Sequence, residues 1–233
     1  MSDRAFHLLQ GEDLRGDLAP LRRYNVFVAA PTLDPVAVRA ALPWARWIGP
    51  SMNACAVPAD PELLAVSPFH RELLESMEEI DGFVRDATWQ YVLDEWGQRQ
   101  IKPTFPAFSQ YAAFLCSRVV KSWRTLYLDN LWASPPPAYC ALVPGAFDRW
   151  RALSLFLVEA IRTVLPDATI LGNVRDVTPS PMRLDGVTIE HASGPLALSR
   201  FMDLAQHGCR LNVAWYSTLE LPGVVMPGDV RAP

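Results

Sequence analysis

The sequence predicts an α/β fold, a (β/α)8 TIM-type barrel that is irregular or incomplete towards its C-terminal end. Three observations carry this. Short apolar, β-rich runs alternate with amphipathic helical stretches along most of the chain, the pattern of a parallel sheet with right-handed crossovers. The fourth to seventh strand-like runs end in polar or aromatic residues, where a barrel mouth would lie. No G-x-G-x-x-G or phosphate loop follows the first of them, which argues against a doubly wound nucleotide-binding sheet.

Residues 1–20 read as an N-terminal extension and 21–233 as the barrel domain. Tyr24–Ala30 is β-rich and stops at Pro31. Asp34–Leu42 follows as a short helix opened by Asp and Pro, and the run Ala45–Ser51 is the second strand. Pro68–Ile80 places Leu73, Leu74 and Met77 between Glu72, Glu75, Glu78 and Glu79, so one helical face is buried and the other solvated. Trp89–Leu93 is read as the third strand. Pro106–Trp123 is a long helix with Phe108, Ala112, Leu115 and Val119 at helical spacing, feeding a fourth strand that ends at Asp129 and Asn130. Phe147–Leu165 repeats the design with Trp150, Leu153, Leu157, Ile161 and Val164 on one face, and Pro166 stops it. Strands five to seven are Ala168–Asn173, Leu184–His191 and Arg210–Ser217, with a helix over Leu196–His207 before the last. Only Gly223–Met226 has room for an eighth strand.

The 233 residues are half hydrophobic and one-fifth charged, with a formal net charge of −4. That composition buries a core and offers no basic footprint for nucleic acid. The longest uncharged stretch, Asn130–Phe147, is broken by Pro135, Pro136, Pro137 and Pro144, so no membrane span is expected. The first ten residues lack the apolar run of a signal peptide, which points to a cytoplasmic protein or one carried in a virion assembled there. Cys55, Cys116, Cys140 and Cys209 are far apart and read as free, mostly buried thiols. Neither they nor the four histidines have metal-ligand spacing, so no metal or other cofactor is expected.

Glycoside hydrolysis needs two carboxyl groups flanking the scissile bond, one of them protonated. Asp129 and Glu190 close strands four and six and are the candidate pair. Asp129, beside the hydrogen-bonding Asn130, is assigned as nucleophile or charge stabiliser. Glu190, in a more apolar setting with Val187 and Ile189 that raises a carboxyl pKa, is assigned as general acid/base. The alternative for each is a helix cap or an arginine partner. Asp94, Asn130 and Asn173 are candidate ligands for sugar hydroxyls, or else turn and cap residues. Trp96, Trp132 and Trp215 fall just past strands three, four and seven, where indole faces can stack on sugar rings. Trp44, Trp47, Trp123 and Trp150 are read as core. Asp185 sits at the opposite end of its strand and is read as structural. The proline loop Ser134–Pro137 is read as a stiff lid on the cleft.

The stretch from Trp89 through Asp129-Asn130 to Glu190 resembles the TIM-barrel glycoside-hydrolase-like families related to endo-α-1,4-polygalactosaminidase. Trp89, Leu93 and Gly97 match one element, and Asp129-Asn130 closes the next strand. Ile170 and Asn173 follow, and then Asp185-Gly186 with Glu190. The resemblance covers roughly residues 20–217. It implies a barrel fold and cleavage of a polysaccharide, with amino-sugar polymers among the candidates. The placing of the two acids on strands four and six also resembles retaining barrels whose nucleophile is an aspartate. Arg124-Thr125 stand where those families carry Asp-Gly. With the short C-terminal end, this keeps open a second reading: a non-catalytic carbohydrate-binding or structural subunit of a larger assembly, such as a phage tail.

Overall fold

The computed structural model describes residues 7–9, 13–94, 96–131, 145–173, 183–190 and 211–215. Its centre is a seven-stranded sheet in the order β1 (His7–Leu9), β2 (Val26–Ala29), β3 (Trp47–Asn53), β6 (Thr125–Asp129), β7 (Thr169–Asn173), β8 (Gly186–Glu190) and β9 (Leu211–Trp215). Every neighbouring pair is parallel, and the strands follow chain order across the sheet. Parallel strands covered on both faces read as continuous apolar runs, which is why Val26–Ala29 is buried at all four positions.

The helices lie against one face. Asp34 caps α1 (Pro35–Ala41) by accepting the Val36 N–H, and Ser67 caps α3 (Pro68–Glu78), with α2 (Pro61–Val66) leading into it. Leu73, Leu74 and Met77 are buried on α3, as their spacing predicts. The helix predicted over Pro106–Trp123 forms as α4 (Phe105–Phe114), a π-helical stretch at Leu115–Val120 and a final turn, α5 (Lys121–Trp123). Its predicted stripe, Phe108, Ala112, Leu115 and Val119, is buried. On α6 (Ala146–Val164) the stripe of Trp150, Leu153, Leu157 and Ile161 is likewise buried, while Val164 at the helix end is 62% exposed.

Strand alternation sorts the core into two sides. Phe27, Ile48, Leu126, Leu128 and Ile170 pack with Val38, Leu42, Leu153 and Leu157 of the helices. Val26, Val28, Trp47, Tyr127 and Leu171 form a separate cluster on the other face. There the hydroxyls of Tyr127 on β6 and Thr188 on β8 bond at 2.8 Å across the intervening β7, so the sheet curls towards this inner face. Trp47, Trp123 and Trp150 are core, as read from the sequence, and Cys55 and Cys116 are buried free thiols.

The third strand is a correction. Trp89–Leu93 does not join the parallel sheet. It lies in a local antiparallel meander, with bridges from Arg85 to Tyr91 and from Leu93 to Arg99, and β5 (Arg99–Gln100) in turn pairs antiparallel with β4 (Ala56–Val57). The connections on either side of it are tight turns, whereas a parallel crossover takes about a dozen residues or more. The sheet takes a strand from elsewhere: His7–Leu9, inside the segment read as an extension, pairs with β2. The seven strands of the parallel sheet make a curled half-barrel, with β1 and β9 at its ends among the described residues. The predicted helix Leu196–His207, the loop Ser134–Pro137 and the strand Gly223–Met226 lie outside the described residues. No described helix is long and apolar enough to cross a membrane.

Candidate functional site

Side chains on the inner face lead up each strand to its C-terminal end. On β3 and β6 the last residues are Asn53 and Asp129, which are register partners. On β7 the strand ends at Asn173, the register partner of Thr188. Three polar strand ends thus meet at one level of the curled sheet.

Asp129 is the carboxylate of this group. Its Oδ1 accepts hydrogen bonds from Asn173 Nδ2 at 2.8 Å and from the Asn130 backbone N–H at 2.9 Å. Asn130 adopts a positive φ of 53°, a turn conformation that asparagine tolerates better than most residues. Asn173 is 1% exposed, so the carboxylate is held by a buried side chain at its own level of the sheet. Among the described residues Asp129 caps no helix and pairs with no arginine, and Oδ2 accepts no hydrogen bond. The Asp129 carbonyl accepts the Ala54 N–H at 2.7 Å, tying the end of β6 to the turn after β3.

A pocket of about 310 Å³ opens here, lined by Ser51, Met52, Asn53, Pro58, His70, Trp96, Gln98, Asp129 and Asn130. That volume is at the lower end of small-ligand sites. Trp96 stands on its rim and is 60% exposed. Asp94 serves the loop that carries it: Asp94 Oδ1 accepts the backbone N–H groups of Trp96 at 2.9 Å and Gln98 at 2.8 Å. Beneath the pocket the Cys55 thiol is pushed well above its usual pKa, by burial first and then by the charges of Asp94 and Asp129. Burial also pushes His70 below the usual imidazole range, so its ring is neutral near pH 7.

Of the residues singled out from the sequence, Asp129, Asn130, Asn173 and Trp96 come together, with Asp94 in the adjoining turn. Glu190 is the last residue of β8, in register with Trp215 of β9 and two positions beyond Thr188. The side chains of Glu190 and Trp215 lie outside the described set, and so do Trp132 and His191. Asn53, His70 and Gln98 are site residues that the sequence reading missed. Asn53 was legible in principle, because it ends its strand as Asp129 and Asn173 do, had that strand been carried past Ser51. His70 on α3 and Gln98 in the meander carried no signal, since neither stands on a strand of the sheet.

No protein-family model and no curated protein matches the sequence. Solved structures do match in shape. The glycoside hydrolase domain of PelA from Pseudomonas aeruginosa superposes with a TM-score of 0.52 at 16% identity, over 88% of this chain and 78% of that one. A variant of the same domain gives the same figures. A cycloisomaltooligosaccharide glucanotransferase from Paenibacillus sp., complexed with cycloisomaltoheptaose, gives a TM-score of 0.58 at 10% identity, over 92% of this chain and 38% of that one. What is shared is the fold. At these identities the resemblance supports a glycosidase-like α/β architecture and leaves the specific polygalactosaminidase relation to proposal.

Proposed function

We propose that this protein is a glycosidase that cleaves a polysaccharide, with Asp129 as nucleophile or charge stabiliser and Glu190 as general acid/base. The observation that carries the reading is the state of Asp129. Its carboxylate ends a central parallel strand and lines a pocket. One oxygen is held by Asn173 and Asn130, and among the described residues the other has no partner and no arginine pairs with the carboxylate. In barrel enzymes the C-terminal strand ends carry the chemistry.

Cleavage then proceeds as two carboxyl groups permit. Glu190 gives its proton to the glycosidic oxygen as the bond from that oxygen to the anomeric carbon breaks. Asp129 meets the positive charge developing on that carbon. Water adds to the carbon and its proton passes to a carboxylate, restoring the starting protonation. Asn173, buried on the neighbouring strand, orients Asp129. Trp96, Trp132 and Trp215 offer faces to sugar rings, and Asn130 and Asp94 complete the polar rim. A closed barrel, with Gly223–Met226 as its eighth strand, belongs to the same proposal, as does the amino-sugar character of the polymer.

The test is release of reducing ends from a panel of amino-sugar and uronic-acid polymers by the wild type, Asp129→Asn and Glu190→Gln. The expected result is cleavage of at least one polymer by the wild type and a loss of about a hundredfold or more in each variant. Wild type and both variants that bind a polymer equally, with none cleaving it, would replace this reading by the non-catalytic carbohydrate-binding one.

A further inference from the structure

The pocket that Asp129 lines also holds two polar side chains that the cleavage scheme does not use, Gln98 and His70, and neighbouring hydrogen bonds hold both in place. The chain of orientation starts at a backbone amide. The Cys55 N–H donates to Asn53 Oδ1 at 3.0 Å, and the Cys55 thiol lies 3.2 Å from the same oxygen. Asn53 Oδ1 is therefore the acceptor and Nδ2 the donor. Asn53 Nδ2 donates to Gln98 Oε1 at 3.1 Å, which identifies the Gln98 acceptor in turn. What remains is the Gln98 Nε2 amide, with two donor hydrogens and no partner among the described residues. The Gln98 backbone is itself held by Asp94 Oδ1, so this amide projects from a braced turn.

His70 is oriented in the same manner from the other side. Ser67 caps α3, and its Oγ accepts the His70 backbone N–H at 3.4 Å. The same Oγ lies 2.7 Å from His70 Nδ1. While its oxygen accepts from the helix, the Ser67 hydroxyl can give its one proton to Nδ1, and the ring proton then sits on Nε2, the tautomer that the proposal below assigns. The ring is also set edge-on to Phe69, with centroids 5.1 Å apart. Burial lowers the imidazole pKa and so favours the neutral ring, whose Nε2–H carries no charge.

We propose that Gln98 Nε2 and His70 Nε2 form a preorganised donor wall that binds the hydroxyl oxygens of a sugar ring seated over Asp129. A sugar hydroxyl both accepts and donates, and the pocket offers it both partners: the two N–H groups, and Asp129 Oδ2, which accepts no hydrogen bond among the described residues. The two donors are held before ligand arrives, so little side-chain freedom is lost on binding. This inference rests on the glycosidase reading for the identity of its ligand, and its test separates the two.

The first measurement needs no ligand. A long-range ¹⁵N–¹H spectrum of the whole wild-type chain should show His70 with its proton on Nε2; a proton on Nδ1 overturns the wall. The second uses free galactose, galactosamine and galacturonate as probes, titrated into the wild type, His70→Phe and Gln98→Met and followed by NMR shifts. At least one sugar should move the Gln98 side-chain amide and His70 signals. Each variant should weaken that sugar about fivefold, the usual effect of one neutral hydrogen bond. Sugar binding that both variants keep unchanged overturns the donor wall while leaving the polymer-cleavage assay to decide the glycosidase reading. Failure of all three sugars to bind the wild type overturns the wall whether or not a polymer is cleaved.

Discussion

The Tyr127 and Thr188 hydroxyls lie 2.8 Å apart although a whole strand, β7, separates their own. In a flat sheet the next-nearest strands stand about 9–10 Å apart, twice the spacing of neighbours. The contact therefore measures curvature, and curvature is what lets side chains of β6 and β8 face one another. Tyr127→Phe and Thr188→Val should each destabilise the chain by about 1 kcal/mol by leaving a buried hydroxyl or its partner site unsatisfied. In a double-mutant cycle by urea unfolding, the pair should couple by a similar amount. Strict additivity would mean that the two hydroxyls do not meet.

Further down the inner face, Trp47 lies across Gly49. A methyl group built at Gly49 would come within 2.6 Å of two indole carbons and 3.1 Å of Thr125 Oγ1. Thr125 cannot easily yield, because its hydroxyl donates to the Ile48 carbonyl at 2.6 Å. Gly49→Ala should cost about 1–3 kcal/mol through overpacking. Thermal unfolding would show this as a lower midpoint, and an unchanged midpoint would place the indole elsewhere.

At the opposite end of the sheet Asp185 is structural, as its position in the sequence implies. Its Oδ2 accepts the Ile170 N–H at 2.7 Å and pairs with the Arg162 guanidinium, which also donates to the Ala168 and Arg183 carbonyls. One arginine thus ties the end of α6 to the starts of β7 and β8. Asp185→Ala should cost about 2 kcal/mol by stranding that guanidinium and a strand-end amide. Asp129→Asn, at the functional end of the sheet, should leave stability nearly unchanged. Chemical denaturation of the two variants side by side checks the contrast.

Cys55 should be chemically inert in the folded chain. Burial and the charges of Asp94 and Asp129 keep the proton on its sulfur, and its S–H points to Asn53 Oδ1. Site-resolved mass spectrometry after iodoacetamide treatment at pH 8 should show Cys55 unmodified in the native protein and alkylated in urea. Rapid native alkylation would contradict the buried placement.

Much of this architecture was legible in the sequence because burial leaves a period. The stripes on α3, α4 and α6 and the apolar runs of the parallel strands follow from which side chains must leave water. Polar residues that interrupt those runs, Asp129 and Asn173, marked the functional edge of the sheet. Trp89–Leu93 misled for the same reason: a β-rich run declares that it will pair, and says nothing of whether its partner is parallel or antiparallel. His7–Leu9 is too short to declare itself at all.

The sequence by itself determined the alternation of strand and helix, the buried face of each helix and the carboxylate at the end of β6. Only the tertiary structure decided what those elements face. Asp129 is held by Asn173, 44 residues away, and Gln98 is oriented by Asn53, 45 residues away. Local preference acts through near neighbours and periodicity. A site assembled from a strand end, a helix cap and a meander turn depends on where the curl of the sheet brings distant backbones together, and no local pattern encodes that distance.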